Sequence, residues 1–234
     1  MNENHRKSVA VSDGFTLIEL MIVIAIVAII AAMAVPNLLS SRMAANDNSA
    51  ISSLRMLVTA QSLFVNQSAI DSDWDGTGEY GTFAELAGLV PLNLRNAAGF
   101  AGVLDPPILP PSLNVVDADG RVQKSGFHFQ VFLPDAAGVG LPEIAGGGPD
   151  PAVDEDTAEH AWACYAWPMT PGTTGSRAYF VNHRGQIFMT NMDAVMYSSA
   201  LAPAFSAALL GANLSALPAS GVPGLDGNTW RPLQ

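Results

Sequence analysis

The feature that most constrains this chain is an apolar block near its start. From Leu17 to Val35 the only charged residue is Glu19. As a helix, at 1.5 Å per residue, the block spans about 28 Å, close to the roughly 30 Å hydrocarbon core of a bilayer. His5, Arg6 and Lys7 precede it in a short polar stretch. The positive-inside rule then keeps the N-terminus in the cytoplasm and carries the bulk of the chain across the membrane. Glu19 has no use in a passive anchor or in the apolar stretch of a secretory signal. A carboxylate in hydrocarbon is costly, so it reads as functional, with a cationic partner to be found. A competing reading rests on Ala32-Met33-Ala34, a triplet of the kind a signal peptidase cuts. It would make the chain an exported binding module, signal-cleaved there or membrane-anchored by the block itself.

The run Gly14-Phe15-Thr16-Leu17-Ile18-Glu19-Leu20, followed by an apolar helix with Pro36 near its end, resembles the class III signal of type IV pilins and pseudopilins. The resemblance covers about residues 13–40. It implies that a membrane prepilin peptidase cuts after Gly14 and that the new amine on Phe15 is methylated. Glu19 then stands where the family keeps its glutamate, and Pro36 where it has a helix-kinking proline. Asp13 departs from the pattern, since a basic or small residue is more usual before the glycine. The physics of charge agrees with the resemblance. Cleavage creates an amine on Phe15, and Glu19 of an adjacent subunit neutralises it. Two unlike charges attract strongly at low dielectric, and each is costly unpaired.

The implied partners are the prepilin peptidase, identical or related pilin subunits, and the inner membrane before assembly. The implied location is the bacterial inner membrane, single-pass with a cytoplasmic N-terminus, and then an extracellular or periplasmic filament. A type IV pilus and the pseudopilus of a type II secretion system share the motif, so both remain open.

Beyond Pro36 the helical pattern continues. Ile51, Leu54, Leu57, Val58, Gln61, Phe64 and Val65 recur at helical spacing and predict a one-sided helix to about Gln67. Asp71-Ser-Asp73-Trp-Asp75-Gly then ends it. This opening resembles the start of an EF-hand-type loop, with Asp71, Asp73, Asp75 and Glu79 as candidate calcium ligands. Position twelve is Thr82 rather than a bidentate glutamate, and an acidic, solvated turn explains the same residues. Trp74 and Tyr80 beside the loop are candidates for stacking sugars, and core or rim packing explains them equally well.

Thr82 to Gly88 reads as a short helix, followed by a Pro-rich connector from Pro91 to Pro111. Strands are expected at Gly126–Leu133, at Trp162–Trp167 and at Arg177–Met189, the last folded as a hairpin around His183–Gly185. Asp135 to Ala158 reads as a surface loop. Ala194 to Leu214 has the composition of an interrupted helix, and the last twenty residues that of an extended tail. The expected organisation is a leader at 1–14, a transmembrane and assembly helix at 15–36 and its amphipathic continuation at 37–67. A globular head follows at 68–193, and an Ala/Pro/Gly-rich tail at 194–234. The fold class is α+β: a long N-terminal helix packed on a small antiparallel meander, which is also what the resemblance implies.

Composition excludes several functions. The net charge is −11, with only 10 Lys and Arg, so nucleic acid is not an expected partner. Cys164 stands alone, which rules out an intrachain disulfide, and its apolar neighbours place it in the core. His5, His128, His160 and His183 form no metal-binding spacing, and no P-loop or nucleophile elbow occurs. The acids from Asp154 to Glu159 beside His160 read as a solvated loop. The expectation is therefore a structural subunit rather than an enzyme, with no required cofactor and with calcium the one ion suggested.

Overall fold

The structure is a computed structural model describing residues 15–67, 69–71, 75–92 and 102–233. The first helix, α1, runs Leu17–Asn66. The chain divides into two compact units, Met1–Ser41 and Arg42–Gln234, and α1 contributes to both.

In the first unit, α1 carries Pro36 and an apolar surface open on every side. Phe15, Leu17, Ile18, Met33 and Val35 are each more than 60% exposed. Among the described residues this is the one helix long and apolar enough to cross a membrane. The side chains of Ser40 and Ser41 bond back to the carbonyls of Pro36 and Asn37, at 3.1 and 2.9 Å. Such back-bonding satisfies hydroxyls that would otherwise be unpaired.

In the second unit, α1 turns one stripe inward: Ala50, Ser53, Leu54, Leu57, Ala60, Gln61 and Phe64. Leu54, Leu57, Gln61 and Phe64 lie on it as expected, the small residues Ala50, Ser53 and Ala60 join them, and Ile51 and Val58 fall on its margin. Gln61 is fully buried, and its amide is satisfied at both ends by one residue. Its Nε2 donates to the Gly81 carbonyl at 2.7 Å, and its Oε1 accepts from the Gly81 N–H at 2.9 Å. A side chain at Gly81 would run into the Phe64 ring.

Gly81 leads into α2, Phe83–Leu86, the short helix expected from Thr82. Thr82 and Glu85 form a reciprocal capping box at its start, which closes two backbone donors.

Among the described residues, seven strands form one antiparallel sheet: β1 Val122–Lys124, β2 Phe127–Pro134, β3 Gly140–Pro142, β4 Ala163–Pro168, β5 Ala178–Asn182, β6 Phe188–Thr190 and β7 Arg231–Pro232. The order is β1-β2-β4-β5-β6-β7, and β3 pairs with the end of β2 opposite β4. This is the α+β architecture expected from the sequence. The three long strand expectations are met by β2, β4 and the β5–β6 hairpin, whose turn closes from the Gly185 N–H to the Asn182 carbonyl at 2.8 Å. The 135–158 stretch, expected as a loop, also holds β3 and a one-turn helix, α3, at Glu155–Ala158.

Strands β2, β4 and β5 are buried along their whole length. Alternate residues serve two cores. Phe127, Phe129, Val131, Cys164 and Val181 join the α1 side. Phe132, Tyr165, Trp167, Phe180 and Phe188 join the other.

The second face is covered by residues 192–230, which contain turns and isolated bridges but no helix, contrary to the helix expected from Ala194. Ala207, Ala208, Leu209, Leu214, Ala219 and Trp230 pack there. The Tyr165 hydroxyl donates to the Phe205 carbonyl and accepts the Ala208 N–H, both at 2.9 Å, and the Trp167 indole N–H donates to the Ser198 carbonyl at 3.0 Å. Repeated Pro and Gly, at Pro203, Gly211, Pro218 and Gly221, stop the alanines and leucines from forming a helix.

The two sides of α1 give a direct comparison. Phe64→Ala removes a ring with no exposure, whereas its neighbour Leu63 is 45% exposed. Unfolding of the full chain in detergent, followed by tryptophan fluorescence, is expected to show a loss of about 3–5 kcal/mol for Phe64→Ala. Leu63→Ala is expected to stay within about 0.5 kcal/mol of the wild type.

Candidate functional site

The start of α1 gathers the residues that the sequence marks out. Phe15 lies just ahead of the helix and is 80% exposed. Gly14, on the other side of the expected cut, lies outside the described residues, as do the leader and Asp13.

Thr16 and Glu19 form a closed hydrogen-bonded pair. Glu19 Oε2 accepts from the Thr16 N–H at 2.9 Å and from the Thr16 hydroxyl at 2.6 Å. The Thr16 hydroxyl oxygen in turn accepts from the Glu19 N–H at 3.3 Å. This is a capping box, in which a threonine and a glutamate three residues on satisfy each other's backbone donors. It also sets a carboxylate at the positive end of the helix dipole. Thr16 was not among the site residues expected above, although the T-x-x-E spacing was there to be read. The two side-chain bonds to Glu19 fall on Oε2, so the carboxylate can hold its own helix start and still offer Oε1 to a partner.

The acidic loop is a different case. Asp73 and Trp74 lie outside the described residues. Asp71 Oδ2 accepts from the Gly76 N–H at 3.2 Å, and Asp75 Oδ1 from the Thr77 N–H at 2.7 Å. Both carboxylates therefore serve turns of their own loop. Glu79 is fully buried, and its N–H donates to the Ile70 carbonyl at 3.1 Å. Among the described residues no three His, Cys, Asp or Glu side chains are grouped to hold a metal. Tyr80 packs on Trp162, ring centroids 6.0 Å apart, so its ring belongs to the core side of the loop.

The histidines are dispersed. His128 contacts the Ser199 hydroxyl at 2.9 Å and lies 5.5 Å from the Trp167 ring. Burial, together with the Arg121 guanidinium, lowers its pKa. His183 is lowered by burial and then by Arg184. His160 meets the neighbouring Glu159 at 3.9 Å. Asp154 caps α3 by accepting from Thr157 N–H at 3.1 Å. Cys164 is fully buried, and burial raises its thiol well beyond the ordinary range, as suits a core residue.

Glu143 is a buried carboxylate that the sequence did not single out. It pins the start of α2 to the 143–148 turn. Its Oε2 accepts from the Phe83 N–H at 3.1 Å, and its Oε1 from the Ala84 and Gly148 N–H groups at 2.8 and 3.0 Å. Burial nonetheless pushes its pKa up to about 7, with Glu85 adding to the rise and the three N–H bonds opposing it.

The family model described as the prokaryotic N-terminal methylation motif matches residues 11–35. A type IV major pilin protein, PilA, from Myxococcus xanthus is 37% identical over 97 residues, 42% of this chain and 43% of that protein. A type IV wide pilus major component, PilA4, from Thermus thermophilus is 53% identical over 53 residues, 23% of this chain and 40% of that protein. The chain thus spans less than half the length of these curated relatives. No solved structure matches.

The raised pKa of Glu143 predicts a pH dependence. A carboxyl whose folded pKa is raised gives stability that is fully present below its unfolded value and is lost as pH rises through the folded one. Stability is therefore expected to fall by about 3 kcal/mol as pH rises from below the ordinary carboxyl value of 4.5 to above the folded value of about 7, at about 1.4 kcal/mol for each pH unit that separates the two. Denaturant titrations of the full chain in detergent test this. Glu143→Gln is expected to be less stable at low pH but to lose the slope.

Proposed function

We propose, for a chain whose amino-terminal segment belongs to the type IV pilin family, that it is a structural subunit of a pilus filament, cut after Gly14 and N-methylated on Phe15. The observation that carries this reading is the start of α1. A solvent-open apolar helix follows Phe15, with one carboxylate, Glu19, held one turn in by Thr16.

Residues 15–41 bury almost nothing among themselves. Lipid covers them before assembly. Once they leave the bilayer, each exposed Leu, Ile or Val costs about 1.5–3 kcal/mol unless it is buried again. Neighbouring copies of the same helix provide that burial, so the segment holds the subunit in the membrane and later in the filament core. The methylated amine of Phe15 is then neutralised by Glu19 of an adjacent copy, whose Oε1 is available. Because each charge is costly alone at low dielectric, the pair sets the axial register of the incoming subunit. Pro36 supplies a point at which the helix bends during packing.

The two relatives are pilus components by name, which favours a pilus over a secretion pseudopilus. On the same ground the protein acts by assembly rather than by catalysis. The subunit resides in the inner membrane, with its N-terminus in the cytoplasm, until prepilin peptidase releases it for polymerisation.

Two measurements test the reading. Mass spectrometry of the mature chain is expected to find N-methylated Phe15 as the first residue, whereas a first residue of Val35 would overturn the processing step. Glu19→Ala leaves the Phe15 amine unpaired at a cost of about 3–5 kcal/mol. Filament yield is then expected to fall by about a hundredfold or more, with the globular unit still folded. Normal filaments from this variant would contradict the register role.

A further inference from the structure

From Ala194 to Leu225 the chain contains no Asp, Glu, Lys, Arg or His, in a protein whose net charge is −11. The inner side of this stretch is anchored on the sheet, so its outer side is fixed in place. That outer side is uncharged: Met196, Leu201, Leu210, Leu217, Val222 and Leu225 are between 45% and 63% exposed, and the exposed polar side chains among them include Ser199, Ser215 and Ser220. A cavity of about 210 Å³ opens in it, lined by Val195, Leu201, Ala202 and Leu225 together with Tyr197 and Asp226.

Asp226 does not make this a cation site. Its carboxylate accepts from the Tyr197 hydroxyl, from the Asn228 N–H and side-chain amide, both at 2.9 Å, and from the Trp230 indole at 3.3 Å. A carboxylate so fully bonded leaves the alkyl walls to select the occupant. Val195, Leu201, Ala202 and Leu225 meet in this one cavity, and a solvent-open apolar concavity of this kind marks an interaction site. Charge decides which partner fits. Two copies of a strongly acidic chain repel across most of their surfaces, and like charges brought together cost several kcal/mol. The uncharged face is where they approach without that penalty. An open filament joins two different patches, so a pocket on one copy meets a projection on the next.

We propose that the surface of residues 194–225 is the contact through which the globular unit of one copy meets that of the next, the Leu201–Leu225 cavity receiving an apolar side chain of the neighbour. This rests on the filament reading above.

The test places a photo-crosslinking phenylalanine at position 225 of the full chain in cells, and irradiates sheared filaments. The expected product has twice the subunit mass and yields peptides of this chain alone. Leu201→Glu and Leu225→Glu are expected to lower filament yield at least tenfold at wild-type membrane levels. Val115→Glu, at a 75% exposed position outside the stretch, is expected to leave yield unchanged. Tryptophan fluorescence checks that each variant is folded, and the crosslink is read without either glutamate substitution. Adducts only to lipid or to another protein, no adduct in intact filaments, or wild-type yield from folded Leu225→Glu would each overturn the proposal. Filaments that contain the chain but lack the adduct overturn this inference alone. Absence of the chain from filaments overturns the filament reading with it.

Discussion

Burial of the central strands on both faces is the constraint on which the globular unit depends. A sheet whose β2, β4 and β5 are inside along their whole length cannot stand as a surface meander. It needs two covers. The inward stripe of α1 supplies one, through Leu54, Leu57 and Phe64. The irregular C-terminal stretch supplies the other, through Ala208, Leu209, Leu214 and Trp230. Each cover is fastened by polar side chains that bond backbone, as Gln61 does at Gly81 and Tyr165 at Phe205 and Ala208. Buried polar groups are tolerated here because they are satisfied.

The first unit follows the opposite logic. Its residues from Phe15 to Val35 are exposed on every side, and the polar side chains among them, Thr16 and Glu19, stand together at the helix start. A carboxylate there serves one role visible in the chain and leaves room for a second. It closes the helix start through Oε2, and it leaves Oε1 outside that cap, the oxygen on which the proposed pairing with a neighbouring copy rests. One chain thus combines a unit whose apolar groups are satisfied internally with a segment whose apolar groups stay exposed among the described residues. The uncharged outer face of residues 194–225 lies between these cases: it belongs to the satisfied unit but leaves its leucines outward.

Much of this was legible in the sequence. The apolar block, the lone Glu19, the stripe around Leu54 to Phe64, the T-x-x-E start of α2 and the strands at β2, β4 and β5 all carry local patterns. The β5–β6 turn is announced by Gly185, which sits at a positive φ that glycine adopts readily. Short edge strands were not legible. β1, β3 and β7 are two or three residues long, and pairing partners rather than propensity define them. Glu143 carried no signal, because its role comes from two backbone segments meeting, one near residue 83 and one at residue 148.

The sequence by itself determined the apolar block, its single carboxylate and the helical register that follows, because periodicity and charge placement are local properties. Only the tertiary structure decided what the C-terminal stretch does. Its alanines, leucines, prolines and glycines suit an interrupted helix or a loose tail equally well. They become a wall because the second face of the sheet presents Tyr165, Trp167 and Phe180, whose apolar surface is covered, and the polar tips of Tyr165 and Trp167 bonded, when that stretch closes over them.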